Sequence, residues 1–164
     1  MAETVVGPLV IAAAPFEDPA VQVLVAAVQE EYVRRYGGPD DTPLAEGVFD
    51  PPGGAFFLGT VDGSPVAMGG WRVRRDVLPW GLSPAAEVKR MYVAPAARRR
   101  GVARRMLGHL EDTAREAGAA AMVLETGTGQ PEAIGLYTAQ GYRRTEAFGH
   151  YAWSPKSRYF GKPL

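Results

Sequence analysis

"MYVAPAARRRGVARRML", Met91 to Leu107, joins extended apolar sequence to helix-forming sequence through a turn that holds three consecutive arginines and one glycine. A strand end, a short loop and a new helix together leave unpaired backbone N–H groups at the positive end of a helix dipole, which suits an anion. Arg98, Arg99 and Arg100 can add charge-assisted hydrogen bonds, weakened wherever water screens them. A solvated basic turn is the plainer alternative. The compact residues Gly101 and Ala103 let backbone approach a phosphate where bulk would block the donors.

Outward from that turn, the spacing predicts a strand at Ala86 to Val93 and a helix from Gly101 to Ala117. The apolar stripe of that helix is Val102, Met106, Leu107, Leu110 and Ala114, with Glu111 and its charged neighbours mostly outside it. Upstream, Leu9 to Ala13 reads as a strand. Asp18-Pro19 is a helix start, and the helix runs to Gly37-Gly38. Pro39 to Gly54 is a long irregular connection with one helical turn near Pro43 to Glu46. Ala55 to Val61 and Pro65 to Val73 form a hairpin around "DGS". Downstream, Ala120 to Glu125 is a strand and Pro131 to Gln140 a short helix; strand character resumes at Tyr142, and a last strand lies near Arg158 to Phe160. The order is α/β, antiparallel strands first and crossovers later.

The 164 residues suit a single domain spanning 1–164. With 18 Lys+Arg against 18 Asp+Glu there is no whole-chain field to draw it onto nucleic acid. The chain has no cysteine and two histidines, His109 and His150, so thiolate chemistry is excluded and no metal site is expected. The segment "MAETVV" lacks a basic run and "LVIAAAP" is too short to cross a bilayer, so the expected location is cytoplasmic, without membrane attachment.

Two phosphate motifs fail on spacing. A Walker loop needs G-x-x-x-x-G-K-[ST], which is absent, and a dinucleotide turn needs three glycines where Gly101 stands alone, although Glu125 at a later strand end imitates a ribose-binding acid. The third comparison holds: Arg98, Gly101 and Ala103 satisfy [RQ]-x-x-G-x-[GA], and the stretch resembles the acetyl-coenzyme-A loop of the GNAT superfamily of N-acetyltransferases. "QPEAIGLYTAQGY", Gln130 to Tyr142, resembles the second motif of that family at Ala133, Leu136, Tyr137, Gly141 and Tyr142. The two motifs, in the right order, cover about Glu87 to Tyr142.

The resemblance implies a mixed, mostly antiparallel central sheet flanked by helices, with a V-shaped cleft for acetyl-CoA as cosubstrate. It places pyrophosphate on the N–H groups of Arg99, Arg100, Gly101, Val102, Ala103 and Arg104, with Arg98 partly structural, and pantetheine beside Met91, Tyr92 and Val93. Gln130 stands where many relatives carry asparagine. Glu87 matches a glutamate that serves as base in some members; the alternative is an ion pair with Lys89 two residues on. Tyr137 matches the frequent general acid, and a core tyrosine is the alternative.

Candidates for acceptor contacts are Tyr32, Trp71, Arg72, Thr126, His150 and Tyr151. The expected activity is transfer of acetyl to a primary amine of a small molecule by direct attack on the thioester. A protein or peptide acceptor, or an acyl-CoA sensor that has lost transfer, are the competing readings. The resemblance also allows a homodimer.

Overall fold

Asp62 and Gly63 both adopt positive φ, 49° and 78°, the geometry of a two-residue hairpin turn that matches the twist of its strands. They join Gly54–Val61 (β2) to Ser64–Arg74 (β3), the hairpin that "DGS" predicts. The computed structural model describes residues 7–164; the Met1 to Val6 segment read above lies outside the described residues. The remaining elements are Leu9–Ala13 (β1), Pro19–Tyr36 (α1), Ala85–Val93 (β4), Val102–Glu116 (α2), Ala121–Gly127 (β5), Pro131–Ala139 (α3), Arg143–Arg144 (β6) and Ser157–Pro163 (β7).

The strands form one sheet in the order β1-β2-β3-β4-β5-β7-β6. Every neighbouring pair is antiparallel except β4 and β5, the two strands joined through α2. That parallel pairing is short: it covers Ala85, Ala86 and Glu87 against Ala121, Met122 and Val123, and then the strands part. The expected mixed sheet with a V-shaped opening is therefore what the chain builds.

Helix α1 begins as the sequence indicates, with the Asp18 carboxylate accepting from Ala20 N–H at 2.8 Å and Pro19 at the first helical position. It packs Val21, Leu24 and Val28 with Phe49, Phe56, Met68 and Tyr92 on one face of the sheet. Helix α2 packs Met106, Leu107 and Leu110 with Met122, Leu124 and Phe160 on the other, and Tyr137 and Tyr142 join this second cluster. Each fully buried aliphatic side chain contributes about 1.5–3 kcal/mol of transfer free energy, and the α2 cluster joins both arms of the V.

Three expectations are corrected. Glu111 is buried within the α2 face rather than outside it; Tyr142 donates to it at 2.8 Å and Lys162 at 3.2 Å, so the buried charge is paired. The connection after α1 has no helical turn at Pro43 to Glu46; the chain turns instead around Gly47, where Asp50 N–H donates to Gly47 O. The strand at Tyr142 shrinks to Arg143–Arg144, because its one partner is β7, which runs four residues longer than the Arg158 to Phe160 span.

Candidate active site

Beyond Glu87 the edge of β4 that faces β5 has no strand partner, and neither does the facing edge of β5 beyond Val123. The opposite edge of β4 is interrupted too. Gly70 pairs with Lys89 and Met68 with Tyr92, so Arg90 and Met91 face Gly69 alone, and Arg90 takes a φ of 57°. This bulge locally kinks β4 where it has lost its β5 partner. The gap thus has hydrogen-bonding walls without a strand to fill it.

At one end of the gap lies the arginine turn. Arg99 has φ 63° and Gly101 φ 74°, and Gly101 is the N-cap of α2 with no side chain to satisfy the first-turn N–H groups. A Cβ built on Gly101 meets nothing within 4 Å, so the space above these donors is clear. Arg99, Arg100 and Arg104 are exposed around it. This concavity fits a diphosphate: clustered N–H groups, a helix N-terminus and cationic side chains. Arg98 points elsewhere. Its Nε donates to Val93 O at 2.9 Å, its Nη2 reaches Glu31 of α1 at 3.2 Å, and its guanidinium covers the Tyr92 ring at 5.6 Å. It braces the turn, the partly structural role that was expected.

On the α1 side the gap opens into a cavity of about 560 Å³, within the usual range for small-molecule sites. Lys89 and Arg90 come from β4, Glu125 and Thr126 from β5, Tyr32 and Tyr36 from α1. Two loops roof it. Asp40 is held by both amide atoms of Gln29 and forms a 2.8 Å ion pair with Arg90. Asp41 accepts from Tyr151 and lies 2.9 Å from His150 Nε2, tying the loop after α1 to the loop before β7.

The electrostatics of the walls follow from burial. Desolvation pushes the Glu125 carboxyl above the usual glutamate range, with Lys89 pulling the other way. Burial, reinforced by Asp40, raises the Tyr32 phenol to about 12. Tyr159, paired with Glu125 across β5 and β7, is raised to about 12 by burial and by that carboxylate, and its buried hydroxyl has no hydrogen-bond partner.

The sequence-derived candidates divide. Glu87 is 4 % exposed, and its Oε1 accepts from Arg72 Nε at 2.9 Å and Arg74 Nη1 at 2.7 Å. It sits where β4 and β5 still pair, outside the cavity lining. The alternative partner, Lys89, is not bound to it; Lys89 turns into the cavity toward Asp40 and Glu125. Arg72 is accordingly a partner of Glu87 and not a cavity residue. Trp71 is on the far face, with Nε1 donating to Thr113 Oγ1 at 3.0 Å, because strand alternation turns it toward α2. Tyr32, Thr126, Gln130 and Tyr151 line the cavity, and His150 stands behind Tyr151 on Asp41. Gln130 Nε2 donates to Tyr36 Oη at 3.2 Å. Tyr137 is buried in α3, edge-on to Tyr142 at 5.7 Å; burial, then the nearby Tyr32, raises its phenol well above the ordinary range. These two phenols come from helices on opposite faces and sense each other through the gap.

Sequence reasoning missed the C-terminal turn of α1. Arg35 donates to Gly129 O at 2.7 Å and pairs with Glu132 at 2.6 Å, while Glu31 holds both Arg35 and Arg98. These bonds carry α1 across the mouth of the V from the arginine turn to α3. The i, i+4 spacing of Glu31 and Arg35 was readable; their partners, 67 to 97 residues away, were not.

Among the described residues no helix is long and apolar enough to cross a membrane, and no group of His, Cys, Asp and Glu is placed to hold a metal. Residues 21–142 match the model of the "Acetyltransferase (GNAT) family". An IAA acetyltransferase of Azospirillum brasilense is 47% identical over 78 residues, a match that spans 48% of this chain and 51%, about half, of that relative. The solved structure assigned as an acyl-CoA N-acyltransferase from Klebsiella pneumoniae subsp. pneumoniae superposes with a TM-score of 0.77 at 27% identity, covering 95% of this chain and 97% of that one. A GNAT-family acetyltransferase of Staphylococcus aureus shares the fold, with a TM-score of 0.73 at 19% identity over 96% and 99% of the two chains. The parted β4 and β5, the uncapped α2 terminus and the family match agree: this chain belongs to the GNAT acetyltransferase family.

Proposed function

We propose that the protein transfers acetyl from acetyl-CoA to a primary amine of a small molecule. The observation that carries this reading is a two-sided gap: an anion-binding turn at one end and a roofed cavity at the other, joined where β4 and β5 part. The cosubstrate supplies an activated acyl carbon. The N–H groups of Arg99 to Arg104 would hold its diphosphate, and the free edge of β4 at Met91 to Val93, with Gln130 opposite, would hold its pantetheine arm. The bond between Asp41 and Tyr151 joins two loops over the cavity, which favours a compact acceptor over a peptide.

An alkylammonium, with an ordinary pKa near ~10.4, must lose a proton before it attacks. We assign that step to Glu125 in place of Glu87. Glu125 is in the cavity wall and burial raises its carboxyl, whereas Oε1 of Glu87 already accepts from two guanidiniums. Glu125 takes one proton of the ammonium, directly or through water. Attack then forms the C–N bond and a tetrahedral oxyanion, the C–S bond breaks as Tyr137 donates a proton to the departing sulfur, and the second nitrogen proton passes through water to restore the phenol. Amides at the β4 bulge face the developing oxyanion.

The reading is tested by thermal unfolding with and without acetyl-CoA, followed by thiol release on a panel of amines. Ligand at 100 times its Kd adds ~2.7 kcal/mol, a rise of about 5–11 °C for a chain of this size. No rise at saturating acetyl-CoA would overturn the coenzyme site; a rise without thiol release for any amine would leave a sensor.

A further inference from the structure

The charged groups lining the cavity are unequal in what they have left to bind. Of its acids, Asp40 is taken by Arg90 and by the Thr42 hydroxyl and amide, and Asp41 by His150 and Tyr151. Glu125 remains. Of its cations, Arg90 is spent on Asp40, whereas Lys89 in the wall and Lys156 at the exposed rim make no ion pair within 4.0 Å among the described residues.

The placement of Lys89 and Glu125 is fixed by register. Glu87 and Val123 are the last paired residues of β4 and β5; two residues further, on the same face, come Lys89 and Glu125. They face each other across the gap where the strands have separated, without forming an ion pair. A cation and a carboxylate held apart in one wall match a ligand that carries both charges in the opposite order.

We infer that the acceptor is an amino-acid-like zwitterion, with its amine beside Glu125, its carboxylate on Lys89 and a bulky apolar or aromatic side chain along Tyr32, Tyr36 and Tyr151. This rests on the acetyltransferase reading and narrows it. A polycationic amine fits poorly, because Lys89 and Lys156 would repel its further charges. A simple amine would engage Glu125 and leave the Lys89 ammonium without a ligand carboxylate, with Asp40 as its neighbouring acid.

The test uses L-phenylalanine, L-methionine and L-tryptophan, each beside its α-amide, which keeps the shape and the amine and removes the carboxylate. The wild type should use at least one free acid with a KM about tenfold or more below that of its amide, the scale of one hydrogen bond to a charged group. Lys89→Met should erase the preference by raising KM for the acid relative to that for its amide, and Lys89→Arg should restore it. Equal use of acids and amides, or an equal loss for both in Lys89→Met, overturns the inference. Calorimetric titration of each pair into CoA-saturated protein reads recognition without turnover: preferential binding of the acids with no thiol release would sink the transfer reading and leave the zwitterion site standing, and no binding of any acid would sink the site itself.

Discussion

Glu87→Gln separates a structural carboxylate from a catalytic one. The carboxylate is 4 % exposed, and its partners Arg72 and Arg74 have side chains 17% and 15% exposed, so solvent screens the pairs weakly. A hydrogen bond to a charged group is worth about 1.5–3 kcal/mol. A neutral amide oxygen retains about half of that. The two bonds together therefore lose about 1.5–3 kcal/mol, which at about 2–4 °C per kcal/mol lowers Tm by about 3–12 °C. Arg74 keeps its two bonds to Asp76, so the residual cost falls mainly on Arg72. The assay is calorimetric unfolding beside thiol-release kinetics at a temperature where both forms are folded. The expected result is a lower Tm with kcat within about tenfold of wild type. An unchanged Tm with kcat down about 100-fold, the scale of a lost general base, would refute the assignment and return the role to Glu87.

Glu125→Gln should show the opposite pattern, with kcat down about 100-fold or more and the acidic limb of the pH–rate profile gone. Its stability effect has a definite sign. A carboxyl raised above its ordinary 4.5 costs nothing below that value, where folded and unfolded states are both protonated, and costs its full amount once pH passes the folded value. Glu125→Gln should thus melt above wild type near neutral pH and lose that advantage by about pH 4, and unfolding across that range checks it. Tyr137→Phe should slow turnover while leaving acetyl-CoA affinity within about threefold, as a phenol that burial keeps protonated would act on the leaving group; an unchanged kcat at saturating amine removes it from the mechanism. Gly101→Trp forces a bulky residue to φ 74° in the clear space over the α2 N–H groups, so acetyl-CoA binding measured by calorimetry should be lost while the chain stays folded.

The fold was legible because the elements announce themselves locally: an Asp-Pro cap, a two-residue turn and an α2 stripe at helical spacing. The turn proposed for the coenzyme was legible for the same reason, being one contiguous segment whose backbone would do the binding. The acceptor side was not, because its contacts come from distant parts of the chain. Lys89 was visible as a neighbour of Glu87, but which acid each one meets depends on where β4 leaves β5. Arg72 and Arg74, at alternate positions of β3, converge on Glu87 through a cross-strand register that no local pattern states. Trp71 had the aromatic character of a binding residue, and only strand parity decided that it faces α2. Glu125 drew notice only as a strand-end acid, and the burial that raises its carboxyl is not written in local spacing.

A strand pair that stops after three residues puts two open edges in the middle of a sheet, where other sheets carry them at the rim. With the gap empty, the β1–β4 half and the β5–β7 half are joined by that short ladder and by the side chains of the flanking helices. The gap-facing amides beyond that ladder have no strand partner, so they exchange hydrogen with solvent through local openings. An amide-bearing molecule laid between the edges stands in for the missing strand. Occupancy would therefore be recorded far from any reacting atom, as amides on both halves that come to exchange together, at the pace of the whole sheet.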